Sequence, residues 1–302
     1  RPAASTFADI LGDGTTDALG WLERGLRRRG FKAPTEVQAL AIPAALCGRD
    51  VLAVASTGSG KTLAFGVPLL AHAAAQEPTT EGPIGLALCP TRELCEQIYR
   101  ELEKVVLLSS NGSTGGTKQH DSRGGVRLAA VFGGYGKYEM AKKLRSGADV
   151  VVATPGRLCD FVREEATDLQ SRCTFVAVDE VDRLFDLGFH DQLRGLLQHV
   201  RPSRQAFFCS ATLPRKVDAL VKIALRADRV TVRAASAATV SGASSSAAGV
   251  VAPHDVLPAM QVVQCQEPTG WGNAPPVAND AIAQTTVVLR GGNRGDQGTT
   301  TA

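Results

Sequence analysis

Seven short apolar runs constrain what this chain can fold into more than any other feature: DVLAVAS (50–56), IGLALCP (84–90), VRLAAVF (126–132), ADVVVAT (148–154), CTFVAVD (173–179), QAFFCSA (205–211) and DRVTVR (228–233). They are continuous rather than alternating. A strand with one wet face alternates apolar and polar residues, whereas a strand of a parallel sheet, covered on both faces, reads as an unbroken apolar run. Between the runs lie helix-like segments: KTLAFGVPLLAHAAA (61–75), RELCEQIYRELEKVV (92–106), FHDQLRGLLQHV (189–200) and RKVDALVKIALRA (215–227). Strand and helix in alternation predict a doubly wound α/β domain, a parallel sheet of about seven strands flanked by helices. Upstream, TDALGWLERGLRRRG (16–30) and TEVQALAIPAALCG (35–48) predict two more helices, the first stopped by Gly30.

The 302 residues, 44% of them hydrophobic and 21% charged, suit a soluble domain with a sizeable core. A net charge of +3 does not by itself announce a nucleic-acid binder, so any such function has to be carried by local motifs. Seven cysteines include no C-x-x-C pair, which points to neither a zinc site nor a disulfide framework. Cys89 and Cys209 lie within apolar runs and are expected as small buried hydrophobes. No stretch approaches ~18 consecutive apolar residues and no signal peptide opens the chain, so the expectation is an intracellular, soluble protein away from membranes.

Two regions differ from the rest. SSNGSTGGTKQHDSRGG (109–125) is polar and glycine-rich and is expected as a flexible insertion between a helix and a strand. From Ala234 the chain becomes AASAATVSGASSSAAG, a small-residue linker, and the remainder to Ala302 has no clear period beyond one short candidate strand, VLPAMQVVQCQE (256–267). The ordered domain is therefore expected over residues 1–233, with 234–302 as linker and tail.

The first run leads directly into ASTGSGKT (55–62). A phosphate loop needs backbone N–H groups aimed at an anion, with a helix N-terminus behind them. Ala55, Ser56, Thr57, Gly58, Ser59, Gly60, Lys61 and Thr62 supply such a loop between a strand and a helix. Gly58 and Gly60 provide the unusual dihedrals, Lys61 can reach β- and γ-phosphates, and the Thr62 hydroxyl can bind Mg²⁺. Ala55 stands where the general pattern has glycine, but it precedes the turn. The fifth run ends in VDEVD (178–182). Alone, Asp179-Glu180 after a strand is most simply a charge pair at a helix N-terminus. After a phosphate loop it becomes the matching metal and base pair. Asp179 would hold Mg²⁺ through its water shell, and Glu180 would orient and deprotonate the attacking water. Lys61, Asp179 and Glu180 are thus the candidate catalytic residues.

GFKAPTEVQ (30–38), ASTGSGKT (55–62), PTREL (90–94), Gly133-Gly134, TPGR (154–157), DEVD (179–182) and SAT (210–212) occur in this order. The series resembles the ordered motifs of the first RecA-like domain of DEAD-box ATP-dependent RNA helicases, over about residues 7 to 233, and Ala55 is that family's own variant of the loop. The resemblance implies a RecA-like P-loop NTPase fold, ATP or ADP with Mg²⁺ as cofactors, and RNA as partner. It also implies an adenine-sensing segment in which Phe31 stacks on the base, Gln38 reads its edge and Ala33 contributes a backbone carbonyl. Pro90, Thr91, Arg92, Gly133, Gly134, Thr154, Pro155, Gly156 and Arg157 would contact the RNA strand. Ser210, Ala211 and Thr212 would join Asp182 in a link between the nucleotide and RNA sides.

Three departures stand out. Val181 replaces the alanine of DEAD, which adds two methyl groups and no chemistry. Phe7 lies farther upstream of Gly30 than the family's aromatic, with GDGTT (12–16) between. Nothing after residue 233 resembles a second RecA-like domain, so the chain is expected to be a piece of a longer protein. HVRPSRQ (199–205) resembles spliceosomal members and LRGGNRG (289–295) an arginine-glycine RNA-binding tail, which favours nucleus or nucleolus over cytoplasm. Two other classes fit parts of the pattern: an ATP-binding interaction module that no longer turns over, and a DNA-directed helicase of superfamily 2. Intact Lys61, Asp179 and Glu180 weigh against the first, and the adenine-sensing segment combined with DEVD weighs against the second.

Overall fold

A strand buried on both faces leaves its backbone only one outlet for its hydrogen bonds, a neighbouring strand on each side. The computed structural model, which describes residues 6–12, 18–109, 125–134 and 136–234, pairs all seven runs in one sheet, five of them on both sides and the two edge strands on one. The strands are β1 (Val51–Val54), β2 (Gly85–Leu88), β3 (Leu128–Val131), β4 (Val150–Ala153), β5 (Phe175–Val178), β6 (Gln205–Ser210) and β7 (Val230–Arg233). They form one sheet of order β3-β4-β2-β5-β6-β1-β7 in which every pairing is parallel. The central strands β2, β4 and β5 are buried throughout. The edge strand β7 instead alternates, with Val230 and Val232 inward and Thr231 and Arg233 outward.

The helices among the described residues are α1 (Ala8–Leu11), α2 (Gly20–Arg28), α3 (Glu36–Leu46), α4 (Lys61–Ala74), α5 (Arg92–Ser109), α6 (Lys137–Arg145), α7 (Pro155–Arg163), α8 (Val181–Asp186), α9 (His190–His199) and α10 (Arg215–Ala224). Local chemistry sets several of their starts. Thr35 and Gln38 form a capping box on α3. Thr154 occupies the N-cap position of α7 without a side-chain cap bond, and Pro155 follows in the first turn, where a missing N–H costs nothing. Gly30 follows α2 with φ +86°, a conformation that stops the helix cheaply only for glycine. Helix α4 is buried almost all round, from Leu63 to Ala71, because it lies between the sheet and the outer layer of α3 and α5.

Right-handed crossovers fix which face each helix covers. The chain leaves β1 toward β2 in one direction along the sheet, but leaves β5 and β6 in the other. Helices after β1 and β6 therefore diverge to opposite faces and open a crevice at the C-terminal ends of these adjacent strands, the place where such sheets bind ligands.

Two buried aspartates secure the opposite edge. Asp50, just before β1, accepts from the Ala206 N–H at 3.0 Å, the Arg226 N–H at 2.8 Å and the Arg226 guanidinium at 2.9 Å. Asp149, just before β4, accepts three bonds from Arg127, from its backbone N–H and from guanidinium nitrogens at 3.0 and 2.7 Å. Neither charge is left unpaired, which is the condition for burying it.

Ser109, expected at the start of the insertion, is the last residue of α5, buried and donating to the Val105 carbonyl at 2.5 Å. The rest of that insertion, 110–124, lies outside the described residues, as do 235–302 with the candidate strand 256–267. Phe7 is buried in the core at the start of α1. Cys89 and Cys209 are fully buried, as expected of small hydrophobes.

Candidate nucleotide and nucleic-acid site

Ala55 continues the β1 direction, and its N–H donates to the Ser210 carbonyl at 3.1 Å, one step beyond the β1–β6 ladder. The turn begins after it, so this position needs no glycine. Gly58 and Gly60 both take positive φ, +80° and +93°. At Gly60 a Cβ would also overlap Gln38 Nε2 and approach Thr35 Oγ1 to 2.8 Å. Gly60 stands at the N-cap of α4, so the loop leads straight into a helix N-terminus, an arrangement that suits an anion. Lys61, buried at the first position of α4, reaches back along the loop and donates to the carbonyls of Ala55 at 2.8 Å and Ser56 at 2.9 Å. Thr62 follows it on the same turn, half-buried. Ser59 donates to the Ser56 carbonyl at 2.8 Å and tightens the turn, while Thr57 is exposed.

Gln38 is braced at both ends of its amide. Its carbonyl accepts the Thr35 N–H at 3.0 Å, and its nitrogen donates to the Gly60 carbonyl at 2.9 Å. One N–H and one lone pair of the amide remain for a ligand edge. The T-x-x-Q spacing of Thr35 and Gln38 suits the capping box, but the partner in the phosphate loop was not legible from spacing. Phe31 is half-buried with the Arg29 guanidinium 5.6 Å from its ring centre, and Ala33 is exposed beside it.

Asp179 and Glu180 sit at the end of β5, two strands from β1. Burial pushes the Asp179 carboxyl up to about 6, against the pull of the Lys61 ammonium. The Glu180 N–H donates to Asp179 Oδ1 at 2.9 Å. Glu180 itself has φ +49°, a left-handed conformation rare for a residue with a side chain, and its carboxylate lies 3.7 Å from Arg183. Among the described residues no three His, Cys, Asp or Glu side chains are grouped to hold a metal. The donors present, the Asp179 carboxylate and the Thr62 hydroxyl, fit Mg²⁺, which usually takes one or two protein oxygens and completes its shell from phosphates and water.

Asp182, Ser210 and Thr212 form a closed set of bonds. Asp182 Oδ2 accepts both the N–H and the hydroxyl of Thr212 at 2.8 Å, the Asp182 N–H donates to Ser210 Oγ at 3.3 Å, and Ser210 Oγ donates to the Thr212 carbonyl at 2.6 Å. Partial burial pushes the Asp182 carboxyl up, but the Thr212 and Ser210 bonds outweigh it and hold it below its ordinary value. Ala211 is exposed between the two bonded residues.

The remaining candidates gather on the other half of the sheet. Pro90, Thr91 and Arg92 follow β2, Gly133 and Gly134 follow β3, and Thr154, Pro155, Gly156 and Arg157 follow β4. These three strands are neighbours, so three motifs far apart in sequence share one stretch of edge. Thr91 Oγ1 accepts the Leu94 N–H at 3.2 Å and so caps α5. The Arg92 guanidinium lies 5.3 Å from the Phe132 ring centre, and a Cβ on Gly134, whose φ is +83°, would stand 3.1 Å from an Arg92 nitrogen. Gly134 thus serves both the turn and the approach of Arg92. Gly133 faces open space.

The DEAD/DEAH box helicase family matches residues 35–220 of this chain. The chain belongs to that family. Relatives of this DEAD/DEAH box protein include the ATP-dependent RNA helicase DDX42 of Xenopus laevis, 43% identical over 65% of this chain and 19% of that protein. The DEAD-box ATP-dependent RNA helicase 24 of Oryza sativa subsp. japonica is 40% identical over 67% of this chain and 24% of its own length. The DEAD/DEAH box chain thus spans about a fifth to a quarter of the curated relatives it matches. Among solved structures it is similar to a hypothetical ATP-dependent RNA helicase from Sulfolobus tokodaii, with a TM-score of 0.60 and 31% identity over 71% of this chain and 56% of that one. A DEAD box protein from Methanococcus jannaschii gives 0.59 and 29% over 71% and 53%. The RecA-like expectation for this DEAD/DEAH box chain, a parallel seven-stranded sheet flanked by helices, holds.

Proposed function

We propose that this chain is the first, nucleotide-binding RecA-like domain of an ATP-dependent RNA helicase, spanning residues 1–233, with 234–302 as linker and tail. One observation carries this reading. The C-terminal edge of the sheet is divided into two halves, with the phosphate loop, Asp179-Glu180 and Ser210–Thr212 on the contiguous strands β1, β5 and β6, and PTREL, Gly133-Gly134 and TPGR on the contiguous strands β2, β3 and β4. The two halves meet where β2 pairs with β5.

In this reading the loop N–H groups and Lys61 hold the ATP phosphates, and Gln38 and Phe31 select adenine. Asp179 and Thr62 would hold Mg²⁺, whose charge offsets that of the phosphates when bound. Glu180 positions water and takes its proton. Asp182, bonded to Thr212, transmits the state of that site toward the RNA half. Helix N-termini at Thr91 and Thr154, with Arg92 and Arg157, suit strand phosphates rather than base edges, so the RNA would be gripped by backbone and 2′-hydroxyl. Charge on the far side of the γ-phosphate would come from a second RecA-like domain, and such an arginine is worth about 10³ to 10⁵ in rate. A nuclear setting is supported by the resemblance to the pre-mRNA-processing helicase prp-5 of Neurospora crassa, 40% identical over 219 residues.

Calorimetric titration with ADP and GDP in Mg²⁺ tests the nucleotide half, and equal affinities would sink adenine selection. Titration with single-stranded RNA and DNA of one sequence tests the other half; preference for DNA would move the chain to the DNA-directed class. Phosphate release from ATP by this chain alone should be slow and little stimulated by RNA.

A further inference from the structure

Helix α6 begins three residues after Gly134, and nothing in the motifs above accounts for its outer surface. Met140, Ala141 and Leu144 face the core. With 3.6 residues per turn, Tyr138, Lys142 and Arg145 fall on one outward flank, and Glu139 and Lys143 on the other. Tyr138 is 74% exposed, the one exposed Phe, Tyr or Trp among the described residues. An aromatic ring left in water on an otherwise charged helix forgoes the burial that normally stabilises such a side chain. Lys137 is tied to Glu164 at the end of α7, whereas Lys142, one turn beyond Tyr138, is exposed and in no ion pair among the described residues.

We propose that Tyr138 and Lys142 form a further single-stranded RNA contact that continues the path from Gly133-Gly134 over the β3 edge of the sheet. One base stacks on the Tyr138 ring and an adjoining phosphate meets Lys142, roughly 6 Å farther along the helix. Charge complementarity and continuity with the glycine pair select RNA as the occupant. The path stops near Arg145, which borders a cavity of about 440 Å³ shared with Glu81, Glu165 and Asp168, acidic groups that repel phosphate. This inference rests on the RNA reading of the β2, β3 and β4 edge, and its test separates the two.

The chain is titrated, by fluorescence anisotropy at low salt, with oligouridylates of ~6 and ~12 nucleotides, lengths within the range of single-strand sites. Tyr138→Ala should weaken binding of the longer strand about 5- to 20-fold and leave the shorter within about twofold, while Tyr138→Phe retains wild-type affinity for both. Lys142→Ala should flatten the slope of log affinity against log salt by about 0.7 for the longer strand only. Arg157→Ala should weaken both lengths. ADP affinity equal to wild type certifies the fold of each variant. Unchanged long-strand binding in Tyr138→Ala, with Arg157→Ala still weak, overturns the inference and leaves the RNA edge standing. Unchanged binding in Tyr138→Ala, Arg157→Ala and Arg92→Ala alike overturns both.

Discussion

The Gln38 amide donates to the Gly60 carbonyl at 2.9 Å, joining the cap of α3 to the last turn of the phosphate loop. If Gln38 reads the base as proposed, the side chain that faces the base edge also sets the loop that faces the phosphates. A Cβ at Gly60 would break this contact, and the backbone there has φ +93°. Gly60→Ala is therefore expected to cost about 1–3 kcal/mol in stability from the left-handed backbone alone and to weaken ADP binding at least about tenfold. Thermal denaturation and calorimetry of the same variant check both. Gln38→Ala, which empties the contact without straining the backbone, should weaken ADP more than it lowers stability.

Glu180 occupies a left-handed conformation, φ +49°, at the head of α8. Strain of this kind persists where the surrounding structure imposes it, and it is common at functional sites. Glu180→Gly should raise stability by about 1 kcal/mol, because glycine adopts this backbone freely. Glu180→Gln keeps the strain and removes the carboxylate proposed as base. In a two-domain parent both variants should lose about 10² or more in single-turnover hydrolysis, while only the glycine variant melts later. Hydrolysis close to wild type in Glu180→Gln would remove Glu180 from the role of base.

Stability should fall with acid in a window set by His72. Its half-buried ring packs against Phe175 and bonds to Thr174 at 2.8 Å, and desolvation lowers its pKa to about 4. The unfolded chain binds the proton near pH 6.5, the folded chain only near 4. Between these values the unfolded state holds more protons, so stability is full above about pH 6.5 and declines toward pH 4, by about 3 kcal/mol from this group. Urea unfolding of wild type and His72→Gln across this range should show the decline reduced in the variant; parallel curves would exclude His72 as its source.

Asp50 binds the start of β1 to β6 and to the turn after α10. Asp50→Ala leaves the Ala206 and Arg226 N–H groups and a guanidinium without their acceptor, and should cost about 3–5 kcal/mol. Chemical denaturation measures it. The retained shape of Asp50→Asn should recover part of the loss.

Much of the candidate site was legible from the chain alone because its motifs are local. A glycine pair, a lysine and a threonine after an apolar strand specify a phosphate loop with little help from the rest of the molecule. Asp179 and Glu180 gain meaning from that loop, and the unbroken apolar runs already required a sheet covered on both faces. Helix α6 was not legible, since its core face offers only Met140, Ala141 and Leu144 among lysines. The strand order was not legible either, because parallel neighbours are chosen by side-chain packing and crossover handedness and not by proximity in sequence. That order places Arg92 beside Gly134, 42 residues apart in the chain, and the packing of α3 on α4 places Gln38 against Gly60 beyond the end of β1. The sequence by itself determined which residues can do chemistry. Only the tertiary structure decided that the candidate nucleotide motifs fall on β1, β5 and β6 and the candidate strand-contacting motifs on β2, β3 and β4, because long-range pairing brings distant side chains to one edge, and no local propensity encodes it.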